Sequence, residues 1–204
     1  MALTIIQIPA GAGANFAYLV FCPDQLQGVA IDPSFAADAV LAAAAERRVQ
    51  IAVVANTHGH HDHTAGNAAL LAATGARLAA HPADGTTPDL PLADGDTLNV
   101  GNDHLTVMHT PGHTPGSVTF VTTGAALTGD TLFVTRCGRA DLAGSDVNHL
   151  YDSLQKLKAL PPETVVYPGH DYGPRPVSTI GDELRTNPYL LCADRESFIK
   201  LRLG

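Results

Sequence analysis

Between Asn56 and Asn67 the sequence reads NTHGHHDHTAGN, directly after the apolar run IAVVA. Four histidines and an aspartate (His58, His60, His61, Asp62 and His63) fall within six residues. Two side chains separated by one residue on extended backbone point to the same side. His58 and His60 can therefore reach one ion together. Asp62 and His63 follow where the loop turns toward the next helix, and can aim at a second ion nearby. Imidazole with carboxylate is a borderline donor set that suits zinc, iron or manganese. Packing four imidazoles into an inert loop would leave many buried donors and acceptors without partners, so metal binding is the expectation.

Three later segments share one form, in which a strand ends and a glycine-flanked polar residue sits in the turn. They are HTPGHTPG with His113, LTGDTL with Asp130 and YPGHDYG with His170. Glycine permits backbone shapes that let a neighbouring side chain project into a cleft. Together with the first cluster these segments supply the remaining donors.

The elements that must position these residues alternate between strands and helices. LTIIQIP, FAYLVFC, GVAIDP and IAVVA read as short strands, as do HLTVMHT, SVTFVT, AALTGD and TVVYPGH. SFAADAVLAAAAERR reads as a helix that Ser34 can cap, with an acid early and Arg47 and Arg48 late. TAGNAALLAAT reads as a helix ending at Gly75, a residue suited to a left-handed cap. DVNHLYDSLQKLKAL places Val147, Leu150, Leu154 and Leu157 on one helical stripe before Pro161 and Pro162. Terminal helices are expected from near Ser178 and near Asp194. Strands mixed with helices in both halves predict layered α/β packing in one domain over 1–204.

Composition removes several classes. The chain is 45% apolar and 16% charged, ordinary for a folded protein, and its apolar runs are too short to span a membrane. The start, MALTIIQIPAGAGANF, lacks a basic leader region, so the cytoplasm is the expected location. Cys22, Cys137 and Cys192 are widely spaced and odd in number, which argues against a disulfide framework. A net charge of −8 with scattered Lys and Arg disfavours nucleic acid as a partner.

THGHHDH, HTPGHTPG, LTGDTLF and YPGHDY, in that order, resemble the metallo-β-lactamase superfamily over nearly the whole chain. The resemblance implies a four-layer αβ/βα sandwich with metals at the end of two facing sheets. It implies that His58, His60 and His113 hold one ion, that Asp62, His63 and His170 hold another, and that Asp130 bridges them. His61 falls at the variable position of the motif and is read as a pocket-facing residue rather than a ligand.

Two groups within the superfamily are close. THGHHDHTAGN, NFAYLV and GDTLFVTRCGR resemble glyoxalase II, the hydroxyacylglutathione hydrolases. That resemblance implies two divalent ions, zinc first with iron or manganese as alternatives. It implies attack on a thioester by water activated at Asp62 and Asp130, and contacts from Arg139 and Tyr172 to the glutathione carrier. Asp141 would orient Arg139. CGRADL, YPGHDYG and VSTIGDELRTNPYL resemble the persulfide dioxygenases, which implies a single Fe(II) on His58, His113 and Asp130. The expected function is thioester hydrolysis of the S-acylglutathione class, with persulfide oxidation as the alternative; a lactonase and a non-enzymatic metal-binding module rank lower. A small-molecule substrate is the expected partner, and a homodimer is left open. The sequence ends at Gly204, soon after His170, so the glutathione-binding helical extension of glyoxalase II is expected to be absent or rebuilt.

Overall fold

The structure is a computed structural model that describes residues 2–11 and 13–204. Its first sheet runs β1 (Thr4–Pro9), β2 (Phe16–Phe21), β3 (Gln27–Ile31), β4 (Gln50–Ala55), β5 (Arg77–Ala80) and β6 (Leu90–Pro91), in that spatial order. The first two pairings are antiparallel and the rest parallel. Strand β2 is buried along its whole length, as expected where both faces of a sheet are covered. Its side chains divide by the two-residue period of a strand. Phe16, Tyr18 and Val20 enter the core between the sheets, while Ala17, Leu19 and Phe21 face the outer helices.

The second sheet contains β7 (Thr97–Val100), β8 (Asp103–His109), β9 (Val118–Thr122), β10 (Ala125–Gly129), β13 (Val165–Pro168) and β14 (Ser178–Thr179). A small hairpin, β11 (Leu132–Phe133) with β12 (Arg136–Cys137), lies between β10 and β13 in sequence. Leu98, Leu105, Val107, Phe120 and Leu127 of this sheet meet Val29, Ile31 and Val53 of the first. Helices α1 (Ala37–Arg47) and α3 (Asn67–Thr74) cover the outer face of the first sheet, and the single turn α2 (His61–Thr64) precedes α3. Helices α4 (Val147–Lys158), α5 (Ile180–Thr186) and α6 (Arg195–Leu203) cover the second. The result is the four-layer αβ/βα sandwich that the motifs implied.

Most expected helix boundaries hold. Leu150, Leu154 and Leu157 of α4 are fully buried, Gly75 closes α3 at φ 68°, and Asp194 caps α6. Two differ. Helix α3 starts at Asn67, not at Thr64, because Ala65 and Gly66 separate it from α2. Ser34 does not cap α1, whose N-cap is Ala36. Ser34 is instead buried at φ 53°, with its hydroxyl 2.5 Å from the Asp62 carbonyl. The hydroxyl is taken by the loop that carries the histidines, and a tertiary hydrogen bond has displaced the local one. No helix among the described residues is long and apolar enough to cross a membrane.

Candidate metal centre

All seven predicted donors lie at one rim of the sandwich, just past the C-terminal ends of strands, where open α/β sheets place ligands. His58 and His60 follow β4, Asp62 and His63 sit on α2, and His113 lies in the β8–β9 loop. Asp130 follows β10, and His170 follows β13. Backbone hydrogen bonds fasten the segments together. Val118 N–H donates to the Thr57 carbonyl at 2.7 Å, and Phe16 N–H to the Gly169 carbonyl at 2.8 Å.

Two donor sets emerge. The His60 Nδ1 atom lies 3.1 Å from His58 Nε2 and 3.0 Å from His113 Nε2. The Nε2 atoms of His63 and His170 are 3.1 Å apart, and Asp62 Oδ2 lies 3.6 and 3.4 Å from them. Each set is close enough to share one ion. Asp130 stands between the sets, with Oδ1 3.3 Å from His63 Nε2 and Oδ2 3.4 Å from both His113 and His170 Nε2.

The outer nitrogens decide what the inner ones carry. His113 Nδ1 donates to the Arg139 carbonyl at 2.9 Å, His170 Nδ1 to the Gly13 carbonyl at 2.9 Å, and His63 Nδ1 to Asp32 at 3.1 Å. Thr57 Oγ1 donates to Asp32 and so accepts from His58 Nδ1 at 3.1 Å. With their outer nitrogens so engaged, neutral His58, His63, His113 and His170 would turn their Nε2 lone pairs into the cluster, where a cation would accept them. Asp130 Oδ1 points the same way, being buried and free of any hydrogen bond among the described residues. The residues therefore fit divalent metal.

Protonation in the ion-free protein follows the same geometry. Burial opposes charge on His170, but Asp130 and Asp62 more than offset it and raise its pKa from 6.5 to about 9. Burial works likewise against His63, and Asp130 and Asp32 raise it well above the ordinary value. Burial holds His58 and His113 down, with other imidazoles adding to the effect. Asp62 is kept ionised chiefly by His170; Asp130 is kept ionised by His63 and His170 against the cost of its burial. An ion must displace the protons on His63 and His170. Binding of Zn(II) at pH 7 is expected to release protons, and apparent affinity is expected to climb with pH toward about 9. Titration calorimetry in buffers of different ionisation enthalpy measures that release; its absence would refute the assigned protonation.

Three supporting residues went unassigned at the sequence level. Asp32 touches both donor sets, through Thr57 and through His63. Asn15 Nδ2 donates to Asp62 Oδ2 at 2.9 Å. Asp84 accepts from Gly59 N–H (2.7 Å), Thr114 Oγ1 (2.8 Å) and Gly116 N–H (2.6 Å), stitching the His58–His60 loop to the His113 loop. Glycine is required at both contacts, since a Cβ would come within 2.7 Å of Asp84 at Gly59 and 2.6 Å at Gly116. Only Asp32 carried a sequence signal, at the end of the apolar strand GVAIDP.

The expected pocket residues divide. Tyr172 lines the cavity above the cluster, its ring stacked on His170 at 4.5 Å and 8°. Arg139 also lines it, but its guanidinium is held in a two-point ion pair by Asp141, at 2.9 and 2.8 Å. His61 does not line that cavity. It is exposed and packs edge-on to Phe35, 6.1 Å between ring centres. On the turn of α2 Asp62 and His63 face the donors, so the preceding residue projects outward. Cys137 borders the pocket as a thiol, its pKa pushed up to about 12 by burial.

This fold, with a metal-binding His/Asp cluster at the rim of two facing sheets, defines a class. The chain belongs to the metallo-beta-lactamase superfamily, whose profile matches residues 10–170. Among curated relatives, it is 43% identical to a hydroxyacylglutathione hydrolase of Polaromonas sp. over 166 residues, covering 78% of this chain and 62% of that protein. It thus spans about three fifths of that relative's length. It is 36% identical to the mitochondrial persulfide dioxygenase ETHE1 of Homo sapiens over 194 residues, covering 92% of this chain and 75% of that one. The crystal structure of ETHE1 from Myxococcus xanthus superposes with a TM-score of 0.93 at 34% identity, covering 98% and 90% of the two chains. Superfamily and relatives together indicate an enzyme.

Proposed function

We propose that this chain is a metal-dependent hydrolase of thioesters of the S-acylglutathione class, with two divalent ions held by the two donor sets. The observation that supports this most is the position of Asp130, whose Oδ2 lies 3.4 Å from His113 of one set and from His170 of the other, while its Oδ1 faces His63. His58, His60 and His113 would hold one ion, and Asp62, His63 and His170 the other. Bound there, zinc or a similar ion supplies Lewis acidity to a carbonyl and lowers the pKa of water toward neutrality.

The residues supply the rest. Asp62, ionised and partly exposed to the cavity, would accept a hydrogen bond from water and orient it. Asn15 fixes the Asp62 carboxylate, and Ser34 fixes its backbone. Burial raises the Tyr172 phenol above its ordinary pKa, so it stays protonated and can donate a hydrogen bond to the substrate. A thiolate of ordinary pKa near ~8.5 leaves without a strong general acid, which suits a pocket that has none. Zinc stands first among the ions, with iron and manganese sharing the donor set.

A second reading is favoured by the end-to-end match to ETHE1, which exceeds the coverage of the hydrolase relative. In it, His58, His113 and Asp130 hold a single Fe(II) as a two-histidine, one-carboxylate face, and the substrate is a persulfide. Metal content per chain together with two assays separates the readings. Two ions and hydrolysis of S-lactoylglutathione are expected. One iron per chain, oxygen uptake with glutathione persulfide and no thioester hydrolysis would overturn the hydrolase.

A further inference from the structure

We propose that the free carboxylate of the substrate's thiol carrier is received by Arg136 and Arg202, and not by Arg139. This rests on the reading above only in taking the substrate to be a carboxylate-bearing thiol derivative, which both the thioester and the persulfide are.

Three guanidinium groups line the cavity over the metal cluster: Arg136, Arg139 and Arg202. They differ in what already satisfies them. Arg139 presents its fork to Asp141 through Nε and Nη2, the geometry that a substrate carboxylate would need. Arg136 has no carboxylate at ion-pair distance and no side-chain hydrogen bond among the described residues, and it is exposed. Arg202 spends only its Nε–H, on the Gly138 carbonyl at 2.7 Å. Its four remaining N–H groups are uncommitted. Arg47, Arg139, Arg175, Arg185 and Arg195 are each paired with an acid, in a chain of net charge −8. Arg48 and Arg77 also lack an acid partner among the described residues but do not line the cavity, so Arg136 and Arg202 are the guanidinium groups of its wall left to meet an anion.

Both are held in place. Arg136 opens β12, directly after Thr135, a β-branched residue at φ 61°. That conformation is strained and persists only where its surroundings impose it, commonly at ligand clamps. Buried Glu183 imposes it here by accepting from Thr135 N–H at 2.8 Å. Asn187 donates to Glu183 at 2.8 Å and to the Arg136 carbonyl at 3.0 Å. Helix α5 and the residue after it thus fix the backbone that presents Arg136. Arg202 projects from α6 with its guanidinium 6.0 Å over the Tyr189 ring, and Tyr189 lines the same cavity. Planar forks of this kind select carboxylates. The ligand class is a small thiol derivative whose carboxylate lies remote from sulfur, with the sulfur end directed to the metal cluster.

The test is calorimetric binding of glutathione, and of glutathione ethyl ester with its glycine carboxylate masked, to the purified metal-loaded protein. Arg136→Gln and Arg202→Gln are each expected to weaken glutathione binding about tenfold, the size of one lost charge-assisted pair. The ester is expected to bind wild type no better than glutathione binds the double variant. Equal binding of acid and ester would overturn the assignment. So would a tenfold loss in Arg139→Gln with the other two variants unaffected. Failure of the hydrolase reading looks different: arginine-dependent glutathione binding without thioester hydrolysis leaves this subsite standing. Hydrolysis of S-lactoylglutathione with an unchanged KM in both variants removes the subsite and leaves the hydrolase intact.

Discussion

Asp130→Ala is expected to lower turnover by about a thousandfold or more, equivalent to ~4 kcal/mol of transition-state stabilisation. The residue is 8% exposed and is the one donor that faces both sets. Removing it takes a negative charge from between the two donor sets and leaves His63 and His170 without the group that polarises them. Metal content is expected to drop to one ion per chain or fewer. Asp130→Asn keeps the shape while losing the charge, so a similar loss there would assign the effect to electrostatics rather than to a cavity. Steady-state kinetics with elemental analysis reads both quantities. An unchanged rate in the alanine variant would mean that the active centre lies elsewhere.

Asp32→Ala acts one layer further out, and its effect falls on stability as well as on metal. Asp32 is 1% exposed and accepts from Thr57 N–H at 2.8 Å, from the Thr57 hydroxyl and from His63 Nδ1. Its loss strands buried donors, at roughly 3 kcal/mol in total. For a chain of this size that is about 6–12 °C in Tm. The orienting partners of metal ligands commonly govern affinity by about 10–100-fold, and the variant is expected to fall in that range. Thr57 relays the effect to His58 while His63 feels it directly, so both donor sets weaken. Thermal unfolding and competition with a chelator measure the two effects. A variant with wild-type Tm and wild-type affinity would show that the buried network is dispensable.

The seven donors were legible as candidates from residue type and turn form, while their division into two sets with Asp130 between came from the family resemblance. His58 and His60 share a side of extended backbone, and the three glycine-flanked turns repeat one form. The layered fold was legible from strand alternation and from the Leu150–Leu154–Leu157 stripe. The supports were not legible, since Asp84 meets Gly59 and Gly116 only after separate strands have assembled. Ser34 was misassigned for the same reason: capping preference is a local tendency, and the Asp62 carbonyl reached its hydroxyl from another element. His61 shows the limit of composition, because membership in a cluster says nothing about the direction of one side chain on a turn. The pairing of Arg139 with Asp141, two residues apart, was legible for the opposite reason, being local.

The first set joins His58 and His60 from the first sheet to His113 from the second, and the other set joins Asp62 and His63 to His170. An ion held by either set would thus act as a rivet through the open seam of the sandwich. Demetallation should slacken the molecule from that edge inward. Amide exchange at Thr57–His63 and Asp130–Leu132 is expected to quicken before the strands behind them loosen.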